Sequence, residues 1–236
     1  MNFKDRGIIL SKKSLKEKDY IITVFTQKHG LYSGVLKQFN KKNGDGLIEG
    51  SLVDFMWSAR LHEHLGSVKC ELIKSYGSYI LSSKTNLYVF NSIVGVINKA
   101  FGEREPHNNF FPIFLNYVEN IKNGFLFSDY IHLELAILAE SGYKLILDKC
   151  ASNGTEHDLF FISPKSGQAV SKAAGMPYQD KLLVMPKFLR SKCQIDQKQK
   201  LEAIKLTSYF LNRYIFQNSA QPAARGKFIE HILNTN

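Results

Sequence analysis

The chain has 236 residues, 44% of them hydrophobic and 22% charged, with a formal net charge of +10 and a pI near 9.4. This composition excludes global disorder, and three scattered cysteines, Cys70, Cys150 and Cys193, argue for a reducing compartment and against a disulfide scaffold. The basic excess points to nucleic acid, an anionic membrane or an acidic protein partner, and does not choose among them.

The opening, Met1-Asn2-Phe3-Lys4-Asp5-Arg6, is charged from the outset and lacks the apolar centre of a signal peptide. Five segments then read as strands: Gly7 to Lys12, Tyr20 to Thr26, Leu31 to Lys37, Leu52 to Ala59 and Leu65 to Lys74. They are rich in β-branched and aromatic residues and are parted by polar or glycine-containing turns. Short strands without helices of comparable weight predict a small antiparallel barrel, for which the five-stranded OB barrel is the common nucleic-acid-binding form. The nearly continuous apolar run Ile21 to Phe25 fits a strand buried on both faces or a buried helix.

The character changes near Ser82. Asn86 to Ala100, Phe110 to Ile121 and Tyr130 to Ser141 carry apolar residues at helical spacing, with Ser128 or Asp129 as an N-cap and Gly142 past the C-terminus of the third. The longest apolar stretch, Leu87 to Phe101, is broken by Asn91, Asn98 and Lys99 and is too short for a bilayer core of about 30 Å, so a soluble cytoplasmic protein is expected. A non-helical insertion follows, from about Leu145 to Leu189. Within it Phe160-Phe161-Ile162, the turn Ser163 to Gly167 and Gln168-Ala169-Val170 read as a β-ribbon. Lys198 to Phe216 and Pro222 to Leu233 close the chain as helices. The expected class is α+β: an OB barrel over 1–81, then a helical domain over 82–236 with the insertion at about 145–189. Net charge is +6 over residues 1–85, −2 over 86–145 and +6 over 146–236, so the basic surface belongs to the barrel and the C-terminal third.

Chemistry-bearing clusters are few. Lys37, Lys41 and Lys42, with Phe39 between them, form a loop able to lay ammonium groups along phosphates and offer a stacking ring; a plain solvated lysine loop is the competing reading. Arg60 lies just past a strand, ready to meet phosphate or to pair with Glu63. Trp57, Phe55 and Tyr32 read first as core and second as stacking rings. His62-Glu63-His64 has the look of a metal pair but reads better as a surface turn. Cys150 with Asn153 has the spacing of a zinc half-knuckle lacking its second thiolate, and no Cys-x-x-Cys occurs. Cys70 and Cys193 read as small apolar residues. Phosphate-binding loops, nucleophile elbows and diagnostic carboxylate pairs are missing, so neither enzyme activity nor a cofactor is expected.

Taken in order, several segments resemble the RecO family of bacterial recombination mediators. They are Asp5 to Leu10, Thr23 to Gly30, Tyr32 to Lys37, Trp57 to Gly66, Glu103 to His107, Leu133 to Gly142, Cys150-Ala151 and Ile162 to Gly167. No single one is as specific as a Walker loop; the ordered set over the whole chain is. The resemblance implies an OB barrel, a helical domain and an inserted finger. It implies binding to single- and double-stranded DNA, annealing of complementary strands, and loading of RecA, with RecR, onto DNA coated by single-strand-binding protein. It also implies a grip on that protein's acidic C-terminal tail. We place that grip on the helical domain, at its apolar-rich helices Asn86 to Ala100 and Tyr130 to Ser141, where the basic residues of the block 86–145 are Lys99, Arg104, Lys122 and Lys144. Some family members hold zinc in the finger with two Cys-x-x-Cys pairs; here Asn153, Ser171 and Ala174 stand where three of those cysteines would be, so the finger is expected to rest on packing by Phe160, Phe161 and Ile162. The alternative function from a different class is an OB-fold RNA-binding or ribosome-associated module, since the same basic barrel serves RNA. An enzyme using 145–189 as a lid is a third, weaker reading.

Overall fold

The computed structural model describes residues 1–16, 19–37, 47–61, 63–217 and 219–235. Five strands, β1 (Asn2–Lys16), β2 (Asp19–Thr26), β3 (Gly30–Leu36), β4 (Leu52–Ser58) and β5 (Ser67–Lys74), close a barrel in the order β1-β2-β3-β5-β4. The long β1 makes closure possible. Its first half pairs with β4 and its second with β2, and Gly7 and Ile8 pair with both. A Cβ at Gly7 would lie 2.4 Å from Val24 Cγ1 and 2.9 Å from the Phe25 carbonyl oxygen, so glycine lets β2 approach closely there. Parallel pairing of Val35 with Ser67 and Leu36 with Val68 seals the last seam, giving the OB topology expected from the sequence.

Inward alternation fills the barrel with Ile9, Ile22, Val24, Tyr32, Leu36, Val53, Phe55, Trp57 and Val68, and Leu47, ahead of β4, joins them. The run Ile21 to Phe25 is a strand, as one of its two readings had it, but burial on both faces is reached only at its end, since Ile21 and Thr23 are half-buried. Val24 faces the barrel core, while Phe25 meets the rings of Phe101, Phe110, Phe111 and Phe114 at 5.8–6.2 Å. Phe110, Phe111 and Phe114 lie on α3 (Phe110–Asn120), and Phe101 directly follows α2 (Lys84–Ala100), itself preceded by α1 (Gly77–Leu81). By contacts the chain divides into residues 1–90 with 101–124, and residues 91–100 with 125–236. The barrel unit therefore carries helices of its own.

The second unit contains the C-terminal half of α2, α4 (Phe127–Glu140), α6 (Gln197–Leu211), α7 (Ala223–Asn234) and a four-stranded sheet in the order β6-β8-β7-β9. The helix α4 begins at Phe127 with Leu126 at the N-cap position and no side-chain cap, so the expected caps Ser128 and Asp129 lie inside its first turn. Its end is as expected: Gly142 adopts a φ of +89° and its N–H donates to the Ala139 carbonyl. Asp196 caps α6 by accepting from the Gln199 N–H at 2.7 Å. The expected ribbon is β7 (Leu159–Ile162) and β8 (Gln168–Ser171), flanked by β6 (Ile146–Cys150), β9 (Leu183–Val184) and the single turn α5 (Lys172–Gly175).

A buried polar network crosses this helical core. Arg225 (1% exposed) donates from Nε and Nη2 to the two carboxylate oxygens of Glu134 (0%), at 2.7 and 3.1 Å. Tyr130 and Ser92 hydroxyls, Thr207 and Gln221 complete it, so α2, α4, α6 and α7 converge on one ion pair. Burial pushes the Tyr130 hydroxyl well above its usual range, and the neighbouring Glu134 adds to this; for Arg225 the same carboxylate outweighs burial and raises the guanidinium further. No helix among the described residues is long and apolar enough to cross a membrane.

Candidate nucleic-acid interface

Strand alternation decides which barrel side chains face outward. On β1, β4 and β5 the outward row is Lys4, Met56, Lys69, paired across the strands, and the adjoining row is Asn2, Ser58, Ser67. Residues directly opposite one another on paired strands lie about 5 Å apart, so Lys4 and Lys69 flank Met56 at about 10 Å from each other. Val35 and the exposed Lys37, at the end of β3, extend the same surface. These residues line a groove of about 630 Å³ whose floor is apolar and whose cations are Lys4, Lys37 and Lys69. Ser58 and Ser67 hydroxyls sit 3.1 Å apart at its edge.

The groove draws only part of its lining from the residues singled out in sequence. Lys37 is there. Phe39, Lys41 and Lys42 lie outside the described residues. Arg60 is exposed beyond β4 and is not among the groove residues, and the described residues show no ion pair between Arg60 and Glu63. Lys4 and Lys69 went unread. Alternation marks Lys69, which lies between the inward Val68 and Cys70, but not Lys4, whose inward neighbours are Phe3 and the carboxylate Asp5.

The core reading of the barrel aromatics holds. Trp57 is 2% exposed and its indole N–H reaches the carbonyls of Ser33 and Leu65 at 3.3 and 3.0 Å, which commits the ring. At the barrel end Phe3 stacks on His29 at 4.0 Å and meets Tyr32 edge-on, while Arg104 sits 5.4 Å from the ring centres of both Tyr32 and Trp57. The buried Asp5 fixes this end, accepting from the Arg6 and Lys28 N–H groups and bonding His29 Nδ1, each at 2.8 Å. Arg104, assigned in sequence to the helical domain's partner surface, thus belongs with Lys122 to the barrel-bearing unit.

In the finger, the four zinc-ligand positions hold a thiol, an amide, a hydroxyl and a methyl. Cys150 Sγ is buried, accepts from the Ser171 N–H at 3.3 Å and lies 3.6 Å from the Ser171 hydroxyl. Asn153 Oδ1 accepts from the Thr155 N–H at 3.2 Å. Burial pushes the Cys150 thiol up, but N–H donors from Ser171, Asn153 and Ser152 outweigh it and bring it to about 7. One thiol does not make a four-ligand zinc site, so these residues do not fit the metal. Among the described residues no three His, Cys, Asp or Glu side chains gather as a metal site. Phe161 and Ile162 are buried as expected and Phe160, half-buried, meets Phe161 edge-on at 4.8 Å, but packing alone is not the whole account. The finger is also pinned by the Cys150–Ser171 bonds and by Arg190 donating to the Glu156 carbonyl at 2.9 Å. Cys70 packs against the barrel core and burial pushes its thiol to about 12. Cys193 departs from the apolar reading: it is exposed in the polar segment before α6.

Comparison with known proteins identifies the family. Residues 1–76 match the family described as recombination protein O N terminal, and residues 82–220 that described as recombination protein O C terminal. The chain belongs to the recombination protein O family. It is similar to the DNA repair protein RecO of Rickettsia africae (strain ESF-5), 53% identical over 235 residues covering 99% of both chains. The RecO protein of Rickettsia felis (strain ATCC VR-1525 / URRWXCal2) is 53% identical over 237 residues and 100% of both. That of Rickettsia bellii (strain OSU 85-389) is 53% identical over 99% of this chain and 97% of its own. The family's field is DNA repair and recombination, and an OB barrel with a lysine-flanked groove is a suitable frame for it.

Proposed function

We propose that this chain is a cytoplasmic, nucleoid-associated recombination mediator that works by binding and annealing DNA rather than by covalent catalysis. The observation that carries the reading is the groove of Lys4, Lys37 and Lys69 over an apolar floor, on the barrel of a RecO-family chain. Annealing requires that two polyanions approach and that contacts be weak enough for register to be searched; phosphate neutralisation by lysine meets both needs. With RecR, the chain would help RecA onto single strands coated by single-strand-binding protein.

A coated strand is not free to pair, so the acidic tail of the coating protein must also be engaged. Helix α4, one of the two sequence candidates for that contact, turns Leu133, Ile137 and Leu138 into the core. A better place is the surface groove of Leu145, Ile146, Leu147 and Leu189, which offers apolar area with two cations, Lys144 and Arg190, against one carboxylate, Asp148, on its rim. Annealing of labelled complementary strands, bare and coated, tests the function. Acceleration without nucleotide hydrolysis and resistant to competing RNA is expected. No acceleration, or preferential capture by RNA, overturns it in favour of an RNA-binding module.

A further inference from the structure

Three rings form a near-parallel ladder in the C-terminal unit. It rises from Phe210, fully buried on α6, to Tyr214 at 6.2 Å and 13°, then to Tyr143 at 4.0 Å and 9°. Tyr143 ends the ladder and is 39% exposed. The ladder depends on an unusual backbone feature, the π-helical turn Asn212–Phe216 that continues α6 and carries Tyr214. Such turns recur at functional sites. Beside the stack, the exposed Arg213 lies 5.3 Å from the Tyr214 ring centre and is held by two bonds, to the Pro164 carbonyl at 2.9 Å and the Tyr209 hydroxyl at 3.1 Å. Both are made by Nη1, so the other end of the guanidinium fork keeps its donors. The Pro164 bond also brings the finger turn, with exposed Lys165, to the same place.

We propose that this ladder is a second single-strand DNA site: an unpaired base extends the stack on Tyr143 while Arg213 and Lys165 meet the flanking phosphates. A planar π face is what continues a parallel stack, and the rim is cationic. Duplex bases have their faces already covered, so the site selects unpaired strands. The inference rests on the annealing reading and deepens it, because annealing needs two strands held by one protein. The barrel groove takes one and the ladder the other.

The test is stoichiometry by sedimentation with strands of about eight nucleotides, within the site size of a single OB barrel, paired with photocrosslinking of a 5-iododeoxyuridine strand. Two strands per chain are expected for the native protein. One is expected for Tyr143→Ser/Arg213→Ser and one for Lys4→Ala/Lys37→Ala/Lys69→Ala, with the crosslink on Tyr143 kept in the lysine variant. Tyr143→Phe keeps the second strand, which separates stacking from loss of a hydroxyl. A single strand per native chain, or two retained in the Tyr143/Arg213 variant, overturns the second site while leaving the barrel reading intact. No strand bound at all overturns the functional reading with it.

Discussion

Removing the Glu134 carboxylate strands a guanidinium in the helical core. Glu134→Ala takes away both acceptors of Arg225 Nε and Nη2, at 2.7 and 3.1 Å, and the acceptor of the Tyr130 hydroxyl. Thr207 Oγ1 at 3.3 Å and Gln221 Oε1 at 2.8 Å remain, but neither carries charge. Breaking a buried pair in this way costs about 3–5 kcal/mol, because the remaining ion has lost its counter-charge and its water. Arg225→Met should cost a similar amount by leaving a buried carboxylate. The double variant Glu134→Ala/Arg225→Met removes both charges, and its loss should fall below the sum of the singles by at least about 2 kcal/mol. Urea unfolding followed by far-UV circular dichroism gives the three values from midpoints and slopes. Singles that each cost less than about 1 kcal/mol, or losses that simply add, would show that the four helices do not depend on this pair.

Three further outcomes follow from the same geometry. The Tyr76 hydroxyl is pushed to about 12 by burial and by its 2.7 Å bond to Glu119. The unfolded chain loses that proton near 10 and the folded chain only near 12, so unfolding releases a proton in this window and stability falls as pH rises through it; Tyr76→Phe should flatten that part of the urea-midpoint profile, and an unchanged profile would contradict the assignment. Gly30→Ala should destabilise the barrel by more than the roughly 1 kcal/mol of an ordinary glycine replacement, since φ is +76° and the new Cβ would lie 1.8 Å from the Glu105 carbonyl oxygen; a thermal midpoint equal to the native one would be inconsistent with this packing. Elemental analysis after chelator-free purification should find no stoichiometric zinc, and about one ion per chain would point to ligands other than Cys150.

The barrel was legible because its strands are dense in β-branched and aromatic residues and its turns are polar. The first half of β1 was not, because the inward position at Asp5 is a carboxylate held by backbone N–H groups, which breaks the apolar alternation. Helices α2, α3 and α4 were visible from spacing. That α3 packs with the barrel was not, because the partner of Phe110 and Phe114 is Phe25, far away in sequence. The candidate interface was half legible. Lys37 belongs to a conspicuous basic run, whereas Lys4 and Lys69 join it only through strand pairing. The Glu134–Arg225 pair spans 91 residues and leaves no local pattern.

Fluorescence anisotropy of a labelled single strand across a salt series, with native protein and with Lys4→Ala/Lys37→Ala/Lys69→Ala, tests the central claim most directly. Each phosphate contact contributes about −0.7 to the log–log salt slope on single strands, so the variant should bind all sequences more weakly and with a slope shallower by about 2. Unchanged affinity and slope would place the DNA elsewhere and contradict the barrel groove as its site.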